Sequence, residues 1–303
     1  MAQASVPVLV DYDSIKVGAE QFDEYLPLLK HKRVAVLVNQ ASIIGNTYLL
    51  DVLLAKKVNL VAIFSPEHGF RGSKDAGERF EEGNDSYAGI PLISLYGKKK
   101  KPEVADLADV DILLIDLQDV GTRFYTYIST MSLAMEACAE NGVRVIILDR
   151  PNPNGFYVDG PVLEKKFSSF VGMHPVPVVY GMTIGEYALM VNGEGWLDGD
   201  KSCDLRVIKM WGYRHNMIVK LKVAPSPNLP NWESVYLYPS LCFFEGTSVS
   251  VGRGTDFPFQ VYGFPANTFG NFVFTPRSIP GKSKHPKWLG KVCYGQLLTG
   301  FAH

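Results

Sequence analysis

Five short, almost uninterrupted apolar runs dominate the first half of the chain: Val34–Val38 (VAVLV), Leu60–Phe64 (LVAIF), Leu92–Leu95 (LISL), Ile112–Asp116 (ILLID) and Val143–Leu148 (VRVIIL). Runs without polar alternation suit strands buried on both faces, as in parallel sheets covered by helices. The segments between them have helical spacing. Thr47–Lys57 is one. In Phe124–Asn141, Tyr127, Met131, Ala134, Met135 and Cys138 fall on one stripe, with Gly142 placed as a C-cap. This alternation predicts a doubly wound α/β layer.

The second half reads differently. Its β-like runs are short and broken by proline, as in HPVPVVYGM at 174–182. A helix is expected from Thr183, whose T-I-G-E forms a capping box with Glu186 and leads into Tyr187–Val191. Of 19 prolines, 14 follow residue 150. Residues 1–150 carry 16 basic and 21 acidic side chains, a net of −5, and the remainder 14 and 10, a net of +4. At 303 residues the chain has room for about two domains. DRPNPNG at 149–155 is the natural turning point, so domains are expected at 1–155, with later segments free to return to it, and 156–303.

The near-neutral total of −1 argues against a nucleic-acid partner. No apolar run approaches a membrane span. The start, MAQASVPVLV, has neither the basic nor the apolar region of a signal peptide. Four cysteines without a C-x-x-C pair, and six histidines without H-E-x-x-H, speak against a disulfide scaffold and a zinc site. NQASIIGN follows the first run where a dinucleotide site needs G-x-G-x-x-G, and no G-x-S-x-G is present. No cofactor or metal is therefore expected.

In open parallel sheets, ligands sit beyond the carboxyl ends of the strands. Here those ends run into Asn39-Gln40, Ser65-Pro66-Glu67-His68-Gly69-Phe70-Arg71, Asp116-Leu117-Gln118-Asp119 continuing to Arg123 and Tyr125, and Asp149-Arg150. Their convergence predicts a site. Glu67 sits between Pro66 and Gly69 on a constrained backbone, where partial burial would suit it to proton donation; the plainer reading is a loop cap or a partner for Arg71. Asp119 and Asp116 offer a second carboxylate, or else a helix N-terminal anion or a partner for Arg123. Asp149 and Arg150 read equally as a turn-stabilising pair. In the second half, Phe244-Glu245-Gly246 to Thr255-Asp256 holds Arg253 between two glycines, either a carboxylate clamp or a surface turn.

Taken in order, SPEHGFRG (65–72), DLQDVGTRFYTY (116–127), DRPNPNG (149–155), GMTIGE (181–186), PSPN (225–228), FEGTSVSVGRGTDFPF (244–259) and GFP (263–265) resemble the exo-β-N-acetylmuramidases of the NamZ type. The resemblance implies a Rossmann-like, mostly parallel sheet domain with a smaller α+β auxiliary domain and an active site in the cleft between. It implies hydrolytic release of N-acetylmuramic acid from the non-reducing end of peptidoglycan fragments, at a β-1,4 bond to N-acetylglucosamine. The family's catalytic glutamate maps onto Glu67. Chains of this family continue past the CYG motif, whereas only QLLTGFAH follows Gly295 here, so an auxiliary domain short at its C-terminal end is expected.

On this reading Glu67 is the general acid and Asp119 the first choice, before Asp116, for the second group; the substrate's own 2-acetamido group is the alternative nucleophile. His68 would orient Glu67. Arg71, Arg123, Arg150 and Arg253 are candidates for the lactyl carboxylate, with Gln118, Tyr125, Asp149 and Glu245 as further substrate contacts. Two other readings stand beside it: a muropeptide-binding protein without activity, and a metal-dependent hydrolase using Glu67, His68, Asp116 and Asp149. The substrate points to a periplasmic or secreted protein, with cytoplasmic recycling as the alternative. The oligomeric state is left open.

Overall fold

The computed structural model describes residues 6–67, 69 and 86–300. Strand β1 (Val8–Val10) precedes α1 (Phe22–Leu29) and β2 (Val34–Val38); a small hairpin, β3 (Ile43–Ile44) and β4 (Thr47–Tyr48), runs into α2 (Leu49–Ala55). Then come β5 (Leu60–Ser65), β6 (Ser86–Tyr87), β7 (Ile90–Ser94), α3 (Val104–Leu107), β8 (Ile112–Asp116), α4 (Tyr127–Asn141), β9 (Arg144–Leu148), α5 (Ile184–Gly193), β10 (Leu205–Ile208) and β11 (Met217–Val219). The last elements are α6 (Trp232–Leu241) and strands β12 (Val261–Phe264), β13 (Phe272–Phe274) and β14 (Cys293–Leu297).

Seven strands form one sheet in the order β10-β9-β8-β2-β5-β7-β6, parallel except for the last pair. Every residue of β2 and β8 is buried, which is why their sequences show no alternation. On one face Val34, Val36, Val38, Leu114, Ile146 and Leu148 pack with Tyr25 and Leu29 of α1 and Leu49, Leu50 and Leu53 of α2. The expected apolar stripe of α4 is buried at Met131, Ala134, Met135 and Cys138, and α4 packs against β9 and α5. Gly142 ends α4 with φ +66°, its N–H donating to the Cys138 carbonyl.

Helix α5 starts as its sequence dictates. Thr183 Oγ1 accepts from the Glu186 N–H at 3.2 Å, and Glu186 Oε2 accepts from the Thr183 N–H at 2.9 Å. Thr183 Oγ1 also donates to Asp149 Oδ2 at 2.8 Å. Thr183→Ala should therefore cost about 1–2 kcal/mol, seen as a melting temperature lowered by a few degrees in a thermal unfolding scan.

The described residues divide into two compact units, one up to residue 220 and one from 221 onward. Segments after residue 155 return to the first unit, as the expected division at 155/156 left open. Residues 156–220 belong with the sheet because β10 pairs in register with β9 and α5 packs on β10. In the second unit β12 and β13 flank β14 in an antiparallel sheet, whose core is Val261, Phe274 and Cys293 with Phe257, Phe272, Trp288 and Leu297 around them. Among the described residues no helix is long and apolar enough to cross a membrane.

Candidate active site

The chain leaves β5 at Ser65 and turns at once. The Gly69 N–H donates to the Pro66 carbonyl at 3.1 Å, and Gly69 takes φ +70°, a conformation that suits glycine. Glu67 rides on this turn, half-buried. Its Oε2 accepts from Thr126 Oγ1 at 3.1 Å, and its carbonyl accepts from the Tyr127 hydroxyl at 3.2 Å. Thr126 is the N-cap of α4, so the carboxyl is fixed at the positive end of a 15-residue helix. Tyr127 and Tyr125 meet edge to face at 4.6 Å, and both are buried. Tyr125, expected as a substrate contact, is 7 % exposed and packs on Tyr127. His68 and Arg71 lie outside the described residues.

Asp119 follows β8 and is 5 % exposed. Its Oδ2 accepts from the Gly121 N–H at 2.7 Å and from the Tyr180 hydroxyl. Its Oδ1 has no hydrogen-bond partner among the described residues. Burial raises its pKa to about 6, against the pull of Tyr180 and of the Gly121 and Val120 N–H groups. A carboxyl whose folded pKa lies above its unfolded value stabilises the fold below about pH 4, and that contribution is lost as pH rises through 6. Asp119→Asn, which keeps an acceptor for Gly121 and Tyr180 and does not ionise, should gain melting temperature relative to the parent as pH rises from about 4 to 7. Thermal melts at both pH values check the sign.

The remaining strand-end residues hold one another rather than an open surface. Arg150 Nε donates to Asp116 Oδ1 at 2.5 Å and Arg150 Nη2 to Asp116 Oδ2 at 2.8 Å. Arg150 also donates to the Tyr12 hydroxyl and the Ile43 carbonyl, both at 3.0 Å. The two side chains are 1 % and 0 % exposed. Burial acts to lower the Arg150 pKa, but Asp116 and Tyr12 beside it leave it raised. Asp116 and Arg150, expected as substrate contacts, here form a buried strut joining β8, the end of β9 and β3. Asp149 is likewise committed. It accepts from Thr183 Oγ1 and the Gly185 N–H, both at 2.8 Å, at the start of α5, and burial raises its pKa to about 6. Gln118 Nε2 donates to the Asp119 and Pro151 carbonyls at 2.8 Å, tying two loops together. Arg123 Nη1 donates to the Pro161 and Val176 carbonyls at 2.8 and 2.5 Å, and the residue is buried.

Among the described residues no group of three or more His, Cys, Asp or Glu side chains stands together to hold a metal ion. Of the four residues in the metal reading, Asp116 and Asp149 already satisfy an arginine and a helix start.

In the second unit, Arg253 Nε donates to Glu245 Oε1 at 2.5 Å, and the guanidinium lies 4.9 Å over the Phe259 ring. Both charged side chains remain partly exposed, at 26 % and 32 %. Lys287 Nζ donates to the carbonyls of Glu245, Thr247 and Val249, and Trp288 Nε1 to that of Ser248 at 2.6 Å, so the loop carrying Glu245 is stapled. Sequence reasoning missed Thr126 and Tyr180, which contact the two central carboxyls. Thr126 lay inside a quoted motif and Tyr180 just before one, but nothing in their spacing marked them as partners.

The chain matches the family model described as Exo-beta-N-acetylmuramidase NamZ, N-terminal, over residues 34–233, and its C-terminal counterpart over residues 236–301. A curated Bacillus subtilis (strain 168) protein, peptidoglycan beta-N-acetylmuramidase NamZ, is 46 % identical over 301 residues, covering 91 % of this chain and 70 % of that one. Two crystal structures of DUF1343 family proteins from Bacteroides fragilis NCTC 9343 superpose on it. One is 52 % identical with a TM-score of 0.87, the other 35 % identical with a TM-score of 0.79; each comparison covers 94 % of this chain and 77 % of the other. With both family models matched in sequence order and this identity extending over nearly the whole chain, the protein belongs to the NamZ family of exo-β-N-acetylmuramidases.

Proposed function

We propose that this protein is a glycoside hydrolase that releases N-acetylmuramic acid from the non-reducing end of peptidoglycan fragments by cleaving the β-1,4 bond to N-acetylglucosamine, with Glu67 as the general acid. The observation that carries the reading is the 46 % identity over 91 % of the chain to the Bacillus subtilis peptidoglycan beta-N-acetylmuramidase. The position of Glu67 supports the role given to it: a half-buried carboxyl just past a strand end, its Oε2 held by Thr126 Oγ1.

In this mechanism protonated Glu67 gives its proton to the glycosidic oxygen as the bond to the anomeric carbon breaks, and N-acetylglucosamine leaves. Water then bonds to the anomeric carbon, giving free N-acetylmuramic acid and returning a proton to the Glu67 carboxylate. The charge that develops at the anomeric carbon requires a second group. Asp119 is proposed for it, either directly or by orienting the 2-acetamido group, because its Oδ1 is the carboxylate oxygen left unpartnered in the loop after β8. Arg253 is proposed to meet the lactyl carboxylate. Glu245 takes its Nε and Phe259 its face, which fixes the plane of the guanidinium and leaves the terminal nitrogens to form the bidentate pair. The substrate supports a proposed location in the periplasm or outside the cell, where peptidoglycan fragments occur.

A pair of chromogenic β-glycosides, of N-acetylmuramic acid and of N-acetylglucosamine, tests this reading. Turnover of the muramic glycoside only is expected, with Arg253→Ala reducing it by about 10–100-fold, the loss of one charge-assisted pair of hydrogen bonds. Equal turnover of both glycosides would overturn the lactyl assignment, and tight binding of either without product would favour a binding protein.

A further inference from the structure

An open groove of about 590 Å³ lies in the first unit, within the range of small-molecule sites. None of the roles above uses it. Part of its lining is apolar: Phe156 and Tyr157, with ring centroids 4.8 Å apart, together with Val158 and Met182. Part is polar: Glu186 and His215, with Oε1 and Nε2 3.0 Å apart and both side chains nearly half exposed. Glu186 is held in place from behind, since its Oε2 accepts the Thr183 N–H at the start of α5. The carboxylate is therefore preorganised within the lining of the groove.

This pairing of an aromatic wall with a fixed carboxylate–imidazole edge matches a pyranose, whose C–H face is apolar and whose equatorial hydroxyls hydrogen-bond. The groove's charge narrows the choice. No Lys or Arg lines it, and Glu186 is its carboxylate. A muramic lactyl group or an acidic peptide stem would meet like charge there, whereas an uncharged N-acetylglucosamine would not. One lining residue also touches the proposed chemistry: Tyr180 donates its hydroxyl to Asp119.

We infer that this groove is the binding site for the N-acetylglucosamine on the leaving-group side of the scissile bond. The inference rests on the proposed hydrolase reading for the identity of that sugar. It makes Tyr157, Glu186 and His215 specificity residues for the aglycone, outside the bond-breaking machinery.

The test uses the full chain carrying Glu67→Gln, titrated with methyl β-N-acetylglucosaminide and, separately, with methyl β-N-acetylmuramide, and followed by NMR. The glucosaminide should bind, and adding Tyr157→Ala should weaken it about tenfold, with muramide affinity changed by no more than about twofold. His215→Ala, at a half-exposed position, serves if Tyr157→Ala melts at a lower temperature than its parent, and should weaken the glucosaminide in the same selective way. In the otherwise unmodified enzyme, Tyr157→Ala should raise KM for the muramyl–glucosamine disaccharide with kcat little changed. Glucosaminide affinity unaltered by both substitutions, or no glucosaminide binding by the parent, would overturn the inference. Failure of the hydrolase reading would show separately, as absence of turnover by the unmodified chain.

Discussion

Glu67→Gln should lower kcat on a muramyl–glucosamine disaccharide by about 10²–10⁴-fold, the usual worth of a positioned general acid, or about 3–5 kcal/mol of transition-state stabilisation. Gln keeps the shape of the side chain and an acceptor for Thr126 Oγ1, which now holds Glu67 Oε2 at 3.1 Å. The fold and the Thr126 contact should therefore survive. The loss should also depend on the leaving group. The sugar alcohol departs poorly as an alkoxide and needs the proton, while a strongly acidic phenol does not. The same substitution should thus cost far less on a dinitrophenyl muramoside than on the disaccharide. Comparable losses on both would mean that Glu67 acts on something other than leaving-group protonation.

The largest effect on stability is expected at the buried strut. Asp116→Ala strands the Arg150 guanidinium, 1 % exposed, without its carboxylate. Breaking a buried ion pair from one side costs about 3–5 kcal/mol, and the two remaining partners of Arg150, the Tyr12 hydroxyl and the Ile43 carbonyl, do not neutralise its charge. A depression of the melting temperature by about 10 °C should be seen by calorimetry. The double variant Asp116→Leu with Arg150→Met removes both charges from the interior and should recover a substantial part of the loss. If Asp116→Ala melts within a degree of the parent, the strut is not a determinant of the fold. These outcomes separate the framework from the chemistry, because the strut touches neither Glu67 nor Asp119 through any hydrogen bond described above.

The sequence made the centre of the sheet legible because burial on both faces leaves a distinctive mark. VAVLV and ILLID became β2 and β8 residue for residue. Towards the edge the mark fades. Strand β7 begins at Ile90, two residues before the apolar run, and passes through Pro91, which its antiparallel neighbour is only two residues long to pair with. Strand β10 was missed: LRVI is short, half-buried and interrupted by a charge, and only pairing with β9 makes it a strand. In the second unit β12 to β14 are three to five residues long, below what periodicity can resolve. Their packing depends on close approaches such as Gly295, where a side chain would collide with the Tyr262 carbonyl.

The site was legible in outline for the same topological reason: strand ends collect polar groups. Partnerships within it were not. Arg150 was read beside its neighbour Asp149, yet it pairs with Asp116, 34 positions earlier, and Asp149 turns instead to Thr183 and Gly185. Which strand ends face each other is a property of sheet order, and sheet order is not written in any one segment. Glu67 escaped this ambiguity because the turn that carries it is local, closed by Pro66 and Gly69 three residues apart.

The central claim is an exo-acting hydrolysis that begins at a muramic acid terminus. Its most direct test is to incubate the protein with two disaccharides of opposite order, one bearing N-acetylmuramic acid at the non-reducing end and one bearing N-acetylglucosamine there, and to identify the products by mass spectrometry. The account predicts equimolar free N-acetylmuramic acid and N-acetylglucosamine from the first and an intact second. Cleavage of both, or of neither while the disaccharide remains bound, would contradict it.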